Sequence, residues 1–327
     1  MTMVPDGIDS GERRRSLGNS DAVRSGLSGR PVVVGEVLFD HFPDGSQRLG
    51  GAPFNVAWHL EALRFEPLLL TRVGADPSGD RIVREMIEWG LDVSGVQRDA
   101  EHPTGQVRVR LDSGEPAFEI AGDQAYDYLQ GDIDLKSLVG GSAALVYHGT
   151  LIGRSELSCR AVQTLRSRSE VPVFLDVNLR PPWWSEGTVK QLLFGASWVK
   201  LNLAELSLLS EPARGRPNDP VAAAQRFRDT FALDAVIVTR GAQGALLVTR
   251  DRVVDRQPPA VVRPVDTVGA GDAFSAVLVA GLIAGWEPEL SLARALDLSA
   301  LICTVRGAVM DDREVYSGLL DEWREAS

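Results

Sequence analysis

Cysteine is nearly absent from this 327-residue chain: Cys159 and Cys303 are its only two. Two thiols cannot build a disulfide framework, so a reducing, cytoplasmic setting is expected. Histidine is almost as scarce. His41, His59, His102 and His148 are scattered without ligand spacing, which argues against a histidine-based metal centre. Positive charge is in deficit: 34 Lys and Arg stand against 45 Asp and Glu, a net charge of −11. That balance argues against nucleic acid or an anionic membrane surface as a partner. Long apolar runs are missing too, and the longest, Ala276–Trp286, falls well short of a membrane span. Residues 1–30 have no apolar period, and no apolar stretch follows the basic run Arg13-Arg14-Arg15, so a secretory signal is not expected. They read as a disordered extension or as a start site assigned too early.

What is present is hydrophobic content of 44%, ample for one large α/β domain or two smaller ones. Strand-like and helix-like stretches alternate. Strands are expected at 31–35, 68–73, 143–148, 171–175, 198–202, 235–239 and 244–249. Helices are expected at 56–63, 79–89, 156–166, 188–194, 204–209, 273–286, 291–305 and 313–323. Such alternation implies a mainly parallel sheet with helices on both faces. Residues 104–110 and 116–120 flank Asp112-Ser-Gly-Glu115 and read as a hairpin.

The most informative stretch is Asp266-Thr-Val-Gly-Ala-Gly-Asp-Ala-Phe274. Extended chain is expected before it, over Pro259–Val265, and an apolar helix after it. Gly269-Ala270-Gly271 is therefore a glycine turn opening a helix. The first N–H groups of a helix lack internal partners, and glycines let an anion approach them. Asp272 places an ionisable base at the mouth of this positive site. An anion hole beside a base suits phosphoryl transfer to a hydroxyl. A plain strand-to-helix turn with a first-turn carboxylate would share only the Gly-x-Gly-Asp core.

Other polar residues stand at element ends. Asp40 is expected just past the first strand, where ligands gather in open α/β sheets. Gly50-Gly51-Ala-Pro-Phe-Asn55 is a glycine turn into a helix, with Asn55 able to donate to and accept from a polyol. Asp176-Val-Asn-Leu-Arg180 would project three polar side chains to one side if its strand continued. Arg180 suits either a phosphate clamp or a structural ion pair. Asn202 and Glu205, three apart, can share a face as a helix begins, and Asn202 also fits an ordinary N-cap. Pro181-Pro-Trp-Trp184 reads as packing. Gly74-Ala-Asp-Pro-Ser-Gly-Asp80 is no P-loop, since Asp80 stands where a lysine is required.

The 266–274 stretch closely resembles the C-terminal signature of the ribokinase/PfkB family of sugar kinases. Gly50–Ala57 resembles that family's N-terminal signature, and signatures run in order from Asp40 to Gly307. One departure is Arg64, where the family usually has glycine to end the helix in a left-handed conformation. The resemblance implies a three-layer ribokinase-like α/β/α domain over 31–327, with a β-strand lid from about 41–49 and 104–121. It implies Asp272 as base, with the Gly269, Ala270 and Gly271 turn holding the oxyanion. Asp40, Gly50, Gly51, Asn55 and Arg180 would bind the acceptor. Asn202, Thr239, Gly241, Thr267, Gly269 and Gly271 would bind ATP. Asn202 and Glu205 would hold Mg2+ through water, and Asp266, Val268 and Gly307 would border a monovalent cation, K+. Gly35-Glu-Val-Leu-Phe-Asp40, Gly-Gly-Ala-Pro and Asp-x-Asn-Leu-Arg together look most like the fructokinase branch. The expected reaction is therefore ATP-dependent phosphorylation of fructose to fructose 6-phosphate. 2-Keto-3-deoxygluconate, ribose, a nucleoside, or a non-catalytic sugar-sensing role remain the alternatives. A homodimer through the lid is also implied.

Overall fold

A computed structural model describes residues 26–112, 115–169, 171–210, 219–259 and 264–325. In chain order the elements are β1 (Arg30–Val34), β2 (Leu38–His41), β3 (Gln47–Gly50), α1 (Ala52–Ala62), β4 (Leu68–Gly74), α2 (Pro77–Trp89), β5 (Val96–Asp99), β6 (Gly105–Asp112), β7 (Glu115–Ile120), α3 (Leu135–Leu138), β8 (Ala143–Gly149), α4 (Glu156–Ser169), β9 (Val173–Asp176) and α5 (Glu186–Leu193). They continue with β10 (Trp198–Asn202), α6 (Leu203–Leu209), α7 (Pro220–Phe231), β11 (Ala235–Thr239), β12 (Ala245–Thr249), β13 (Val253–Arg256), α8 (Ala270–Ala284), α9 (Pro288–Ile302) and α10 (Arg313–Glu325).

The main sheet has the order β13-β12-β11-β10-β9-β8-β1-β4-β5. Its strands pair in parallel from β11 through to β5, and β12 and β13 add an antiparallel edge. Both faces are covered, which explains the continuous apolar strands. In β1, Val33 faces one core while Val32 and Val34 face the other. In β11, Ala235 and Ile237 alternate in the same way with Val236 and Val238. Phe54, Met86, Val277, Leu292 and Tyr316 bring α1, α2, α8, α9 and α10 onto one face. Val162, Val189, Leu206 and Phe227 bring α4, α5, α6 and α7 onto the other.

The strand order turns back at β1: β4 and β5 lie to one side, β8 to β11 to the other. Ligand sites in open α/β sheets form at such a reversal, beyond the carboxyl ends of the strands. A second, small sheet of order β3-β2-β6-β7 rises from this edge. The hairpin at β6 and β7 pairs Asp112 with Glu115; Ser113 and Gly114 lie outside the described residues. Among the described residues, no helix is long and apolar enough to cross a membrane.

Four expectations need correction or restriction. Asp40 does not follow β1: that strand ends at Val34, and Asp40 lies within β2 of the small sheet. The Asp176–Arg180 stretch does not continue as a strand, because β9 ends at Asp176 and Asn178 takes φ +39°. Of Pro259–Val265, residues 260–263 lie outside the described residues and the remainder is not strand. Residues 1–25 of the expected N-terminal extension likewise lie outside them, while Leu27 N donates to Leu282 O at 3.3 Å and Arg30 opens β1.

Candidate active site

Gly269 is the N-cap of α8 with φ +78°, a left-handed conformation that favours glycine. A Cβ there would also stand 2.3 Å from the backbone of Ala308. The chain turns inside the space that this missing side chain leaves. Asp272 N donates to Gly269 O at 3.0 Å and Ala270 N to Thr267 O at 3.4 Å. The N–H groups of Gly269 and Gly271 have no partner among the described residues. These two donors, at the positive end of a 15-residue helix, form the anion turn.

Asp272, in the first turn of α8, is half-buried. Its Oδ2 accepts from Asn55 Nδ2 at 2.7 Å, which ties α8 to α1. Burial raises its pKa to about 6; Asp176 adds to that rise, while the Asn55 bond, Lys200 and Arg180 oppose it. Such a carboxylate is ionised near neutral pH and still able to take a proton. Asn55 Oδ1 is buried and has no protein partner. It remains free to receive a donor, as an acceptor hydroxyl requires.

The residues expected to bind the acceptor lie on the small sheet, at the start of α1 and in the loop after β9. Gly51, the N-cap of α1 with φ +113°, leaves no room for a side chain against Glu36 O. Gly50 ends β3, where a Cβ would lie 3.1 Å from Asp40 Oδ2. Burial raises the Asp40 pKa to about 6, opposed by Arg180. Arg180 is exposed in the loop after β9, and its charge acts on Asp40, Asp272 and Glu36 together.

Asn202 and Thr239 form a second group, paired in register at the ends of β10 and β11. Asn202 caps α6: Glu205 N donates to its Oδ1 at 2.9 Å. Glu205 accepts from Asn202 N and from Leu179 N, each at 2.8 Å. Gly241 follows with φ +58° and open space around it, in the turn between β11 and β12. A third group joins Asp266, Val268 and Gly307: Asp266 accepts from Val268 N and from Gly307 N, both at 3.1 Å. Thr267, between them, is exposed. Surface depressions lined by Asp80, Val83 and Arg98 and by Asp127, Arg154 and Trp183 hold none of these residues.

Residues 33–313 match the pfkB family carbohydrate kinases. The chain belongs to this family. It is 31% identical over 301 residues to a fructokinase of Klebsiella pneumoniae, covering 86% of this chain and 96% of that protein. Among solved structures, a Vibrio cholerae fructokinase double mutant in fructose-, ADP- and potassium-bound form is similar with a TM-score of 0.74 and 25% identity. That match covers 91% of this chain and 100% of that one. A fructokinase from Xylella fastidiosa with bound ATP shares the fold at a TM-score of 0.77 and 23% identity, over 90% of this chain and 99% of that one.

Membership in the PfkB family raises the question of magnesium. Both Glu205 oxygens already accept backbone N–H groups, and Asn202 Oδ1 is held by its own cap. Among the described residues there is no group of three or more His, Cys, Asp or Glu able to hold a metal. Direct ligation is therefore disfavoured, and contact through water fits, since each oxygen keeps a second lone pair.

Buried charged residues with no role expected from the sequence lie beside these groups. Lys200 Nζ pairs with Asp176 Oδ1 and Oδ2 at 3.1 and 3.0 Å, buried beneath Gly271. Burial would lower the Lys200 pKa, but Asp176 and Asp272 more than offset that and hold it above its usual range. Asp176 also accepts from Ser275 Oγ at 2.8 Å and Tyr147 Oη at 3.2 Å. A lysine inside the apolar strand Trp198-Val-Lys-Leu was the available signal, because a buried charge demands a partner. Glu36, 7% exposed and with its pKa raised by burial to about 7, was the other.

Proposed function

We propose that this PfkB kinase transfers the γ-phosphoryl group of ATP to a hydroxyl of fructose. The observation that carries the reading is the Asn55–Asp272 bond, which places a base beside the anion turn and beside an unpartnered amide oxygen. Asp272 takes the proton of the attacking hydroxyl as the bond to phosphorus forms. Gly269 and Gly271 N–H groups face the negative charge that develops on the transferred group. Arg180 adds positive charge that acts on both Asp40 and Asp272. Magnesium, bound through water near Asn202 and Glu205, would neutralise the phosphates. Asp40, Gly50, Gly51 and Asn55 orient the sugar, and the small sheet closes over it as a lid.

Fructose is favoured by the fructokinase relatives at about 30% identity and by the fructose, ADP and potassium of the Vibrio cholerae protein. Asp266, Val268 and Gly307 would border the potassium. Exposed Phe118 on β7, an edge strand of the small sheet, supports a homodimer through that sheet. The test is ATP-dependent ADP release across fructose, 2-keto-3-deoxygluconate, ribose and nucleosides. Fructose should give the highest kcat/KM, and Asp272→Asn should lower it about 10²–10⁴-fold with ATP binding intact. Near-wild-type turnover in that variant would end the mechanism, and preference for another acceptor would end the fructose assignment.

A further inference from the structure

One face of α1 reaches both sides of the anion turn. Asn55, Trp58 and His59 lie three and four residues apart, the spacing that aligns side chains on a helix. Asn55 Nδ2 donates to Asp272 at 2.7 Å. Trp58 Nε1 donates to Met310 O at 2.7 Å. His59 lies fully buried with Nε2 3.2 Å from Ala308 O and Nδ1 2.8 Å from Tyr316 Oη of α10. Ala308 is the residue whose backbone fills the space left by Gly269. A carbonyl only accepts, so His59 Nε2 carries the proton. Burial holds the imidazole pKa down at about 4, so the ring is neutral and Nδ1 accepts from Tyr316 Oη.

We infer that His59 is a positioning residue for phosphoryl transfer: through Ala308 it holds the anion turn at Gly269 in register with the Asn55–Asp272 pair on the same helix. The inference rests on the phosphotransfer reading. Nothing in the packing of an ordinary core requires a polar ring here. The bond to Ala308 O nevertheless spans 249 residues to the backbone that lies nearest the missing side chain of Gly269. His59 acts through that segment and touches neither substrate.

The test compares His59→Gln, His59→Asn and Trp58→Phe with the wild-type full chain. It measures kcat and KM for fructose, ADP affinity by calorimetry, and the melting temperature. Glutamine places its amide nitrogen near the position of Nε2 and can still donate to Ala308 O. Asparagine reaches only the position of Nδ1. The glutamine variant should stay within about threefold of wild type in kcat and ADP affinity, and the asparagine variant should lose about tenfold or more in both. KM for fructose should change less than about twofold in either, because the loss falls on the turn and not on acceptor binding. Trp58→Phe drops the bond to Met310 O and should follow the asparagine variant. Equal kcat and ADP affinity in the glutamine and asparagine variants, or losses that follow the melting temperature, would overturn the assignment. If His59→Asn does not fold, His59→Gln decides: a loss of about tenfold or more in kcat and ADP affinity, although the donor to Ala308 O is kept, overturns the assignment. Wild type that binds ADP but phosphorylates no acceptor refutes the phosphotransfer reading alone, and ADP affinity across the variants still decides the role of His59. Wild type that binds no ADP refutes both.

Discussion

Asn55 donates to Asp272 across 217 positions of sequence, at 2.7 Å, and so joins the two glycine turns of the site into one unit. The bond favours the ionised carboxylate and holds down a pKa that burial lifts to about 6. A base must be deprotonated to act, so kcat/KM should fall as pH drops through about 6. Asn55→Ala removes the donor, and the acid limb of the profile should move to higher pH, whatever happens to the height of the plateau. Rate profiles between pH 5 and 9 check this, and an unmoved limb would show that another group titrates.

The two glycines proposed to face phosphate, Gly241 and Gly269, should respond differently to a methyl group. Gly241 has φ +58° and open space around it, so Gly241→Ala meets only left-handed strain, about 1–2 kcal/mol. Gly269→Ala adds a contact at 2.3 Å with the Ala308 backbone, which cannot move like the end of a flexible side chain. Its cost should reach about 3 kcal/mol or more, with turnover lost along with the turn. Urea unfolding of the two variants measures the difference. Similar stabilities would mean that the 306–310 segment gives way easily.

How much of this was legible in the sequence depended on distance. The turn at Gly269 and the carboxylate of Asp272, the proposed base, are local to one helix start, and both stand within nine consecutive residues. Asp40 was misplaced because Val37-Leu-Phe39 continues the apolar run of β1 although the chain has already changed sheets. Periodicity reports burial, not which sheet a strand joins. The Asp176–Arg180 alternation failed at Asn178, whose positive φ turns the chain out of the strand. Lys200, Ser275 and His59 carried no site role in the sequence because their meaning lies in partners 24, 99 and 249–257 residues away.

Arg64 was read as a poor helix terminator, and it does take φ +69° just after α1. It is exposed, and its backbone N–H donates to Glu61 O at 2.9 Å, a bond that any residue can make. Arg64→Gly should therefore relieve left-handed strain at the cost of some unfolded-chain entropy, a net gain of about 0.5–1 kcal/mol. Denaturant midpoints with unchanged slope measure it, and kcat should not change. A loss of stability would mean that the guanidinium contributes more than its exposure suggests.

Glu36 should make the fold less stable as pH rises. Its pKa climbs from 4.5 to about 7 through burial, with Asp272 adding to the rise and Arg180 opposing it. The folded state therefore prefers the protonated acid. Its stabilising preference is complete below about 4.5 and is lost as pH rises toward about 7, beyond which nothing further changes. A shift of that size corresponds to about 3 kcal/mol. Asp40 and Asp272, each raised to about 6, slope the same way, so only a comparison isolates Glu36. Glu36→Gln keeps the shape and stays neutral. Against wild type, its urea midpoint should be similar at pH 4.5 and clearly higher at pH 8. A gap that does not widen between these pH values would mean that Glu36 ionises in the fold without strain, with Arg180 near enough to carry its charge.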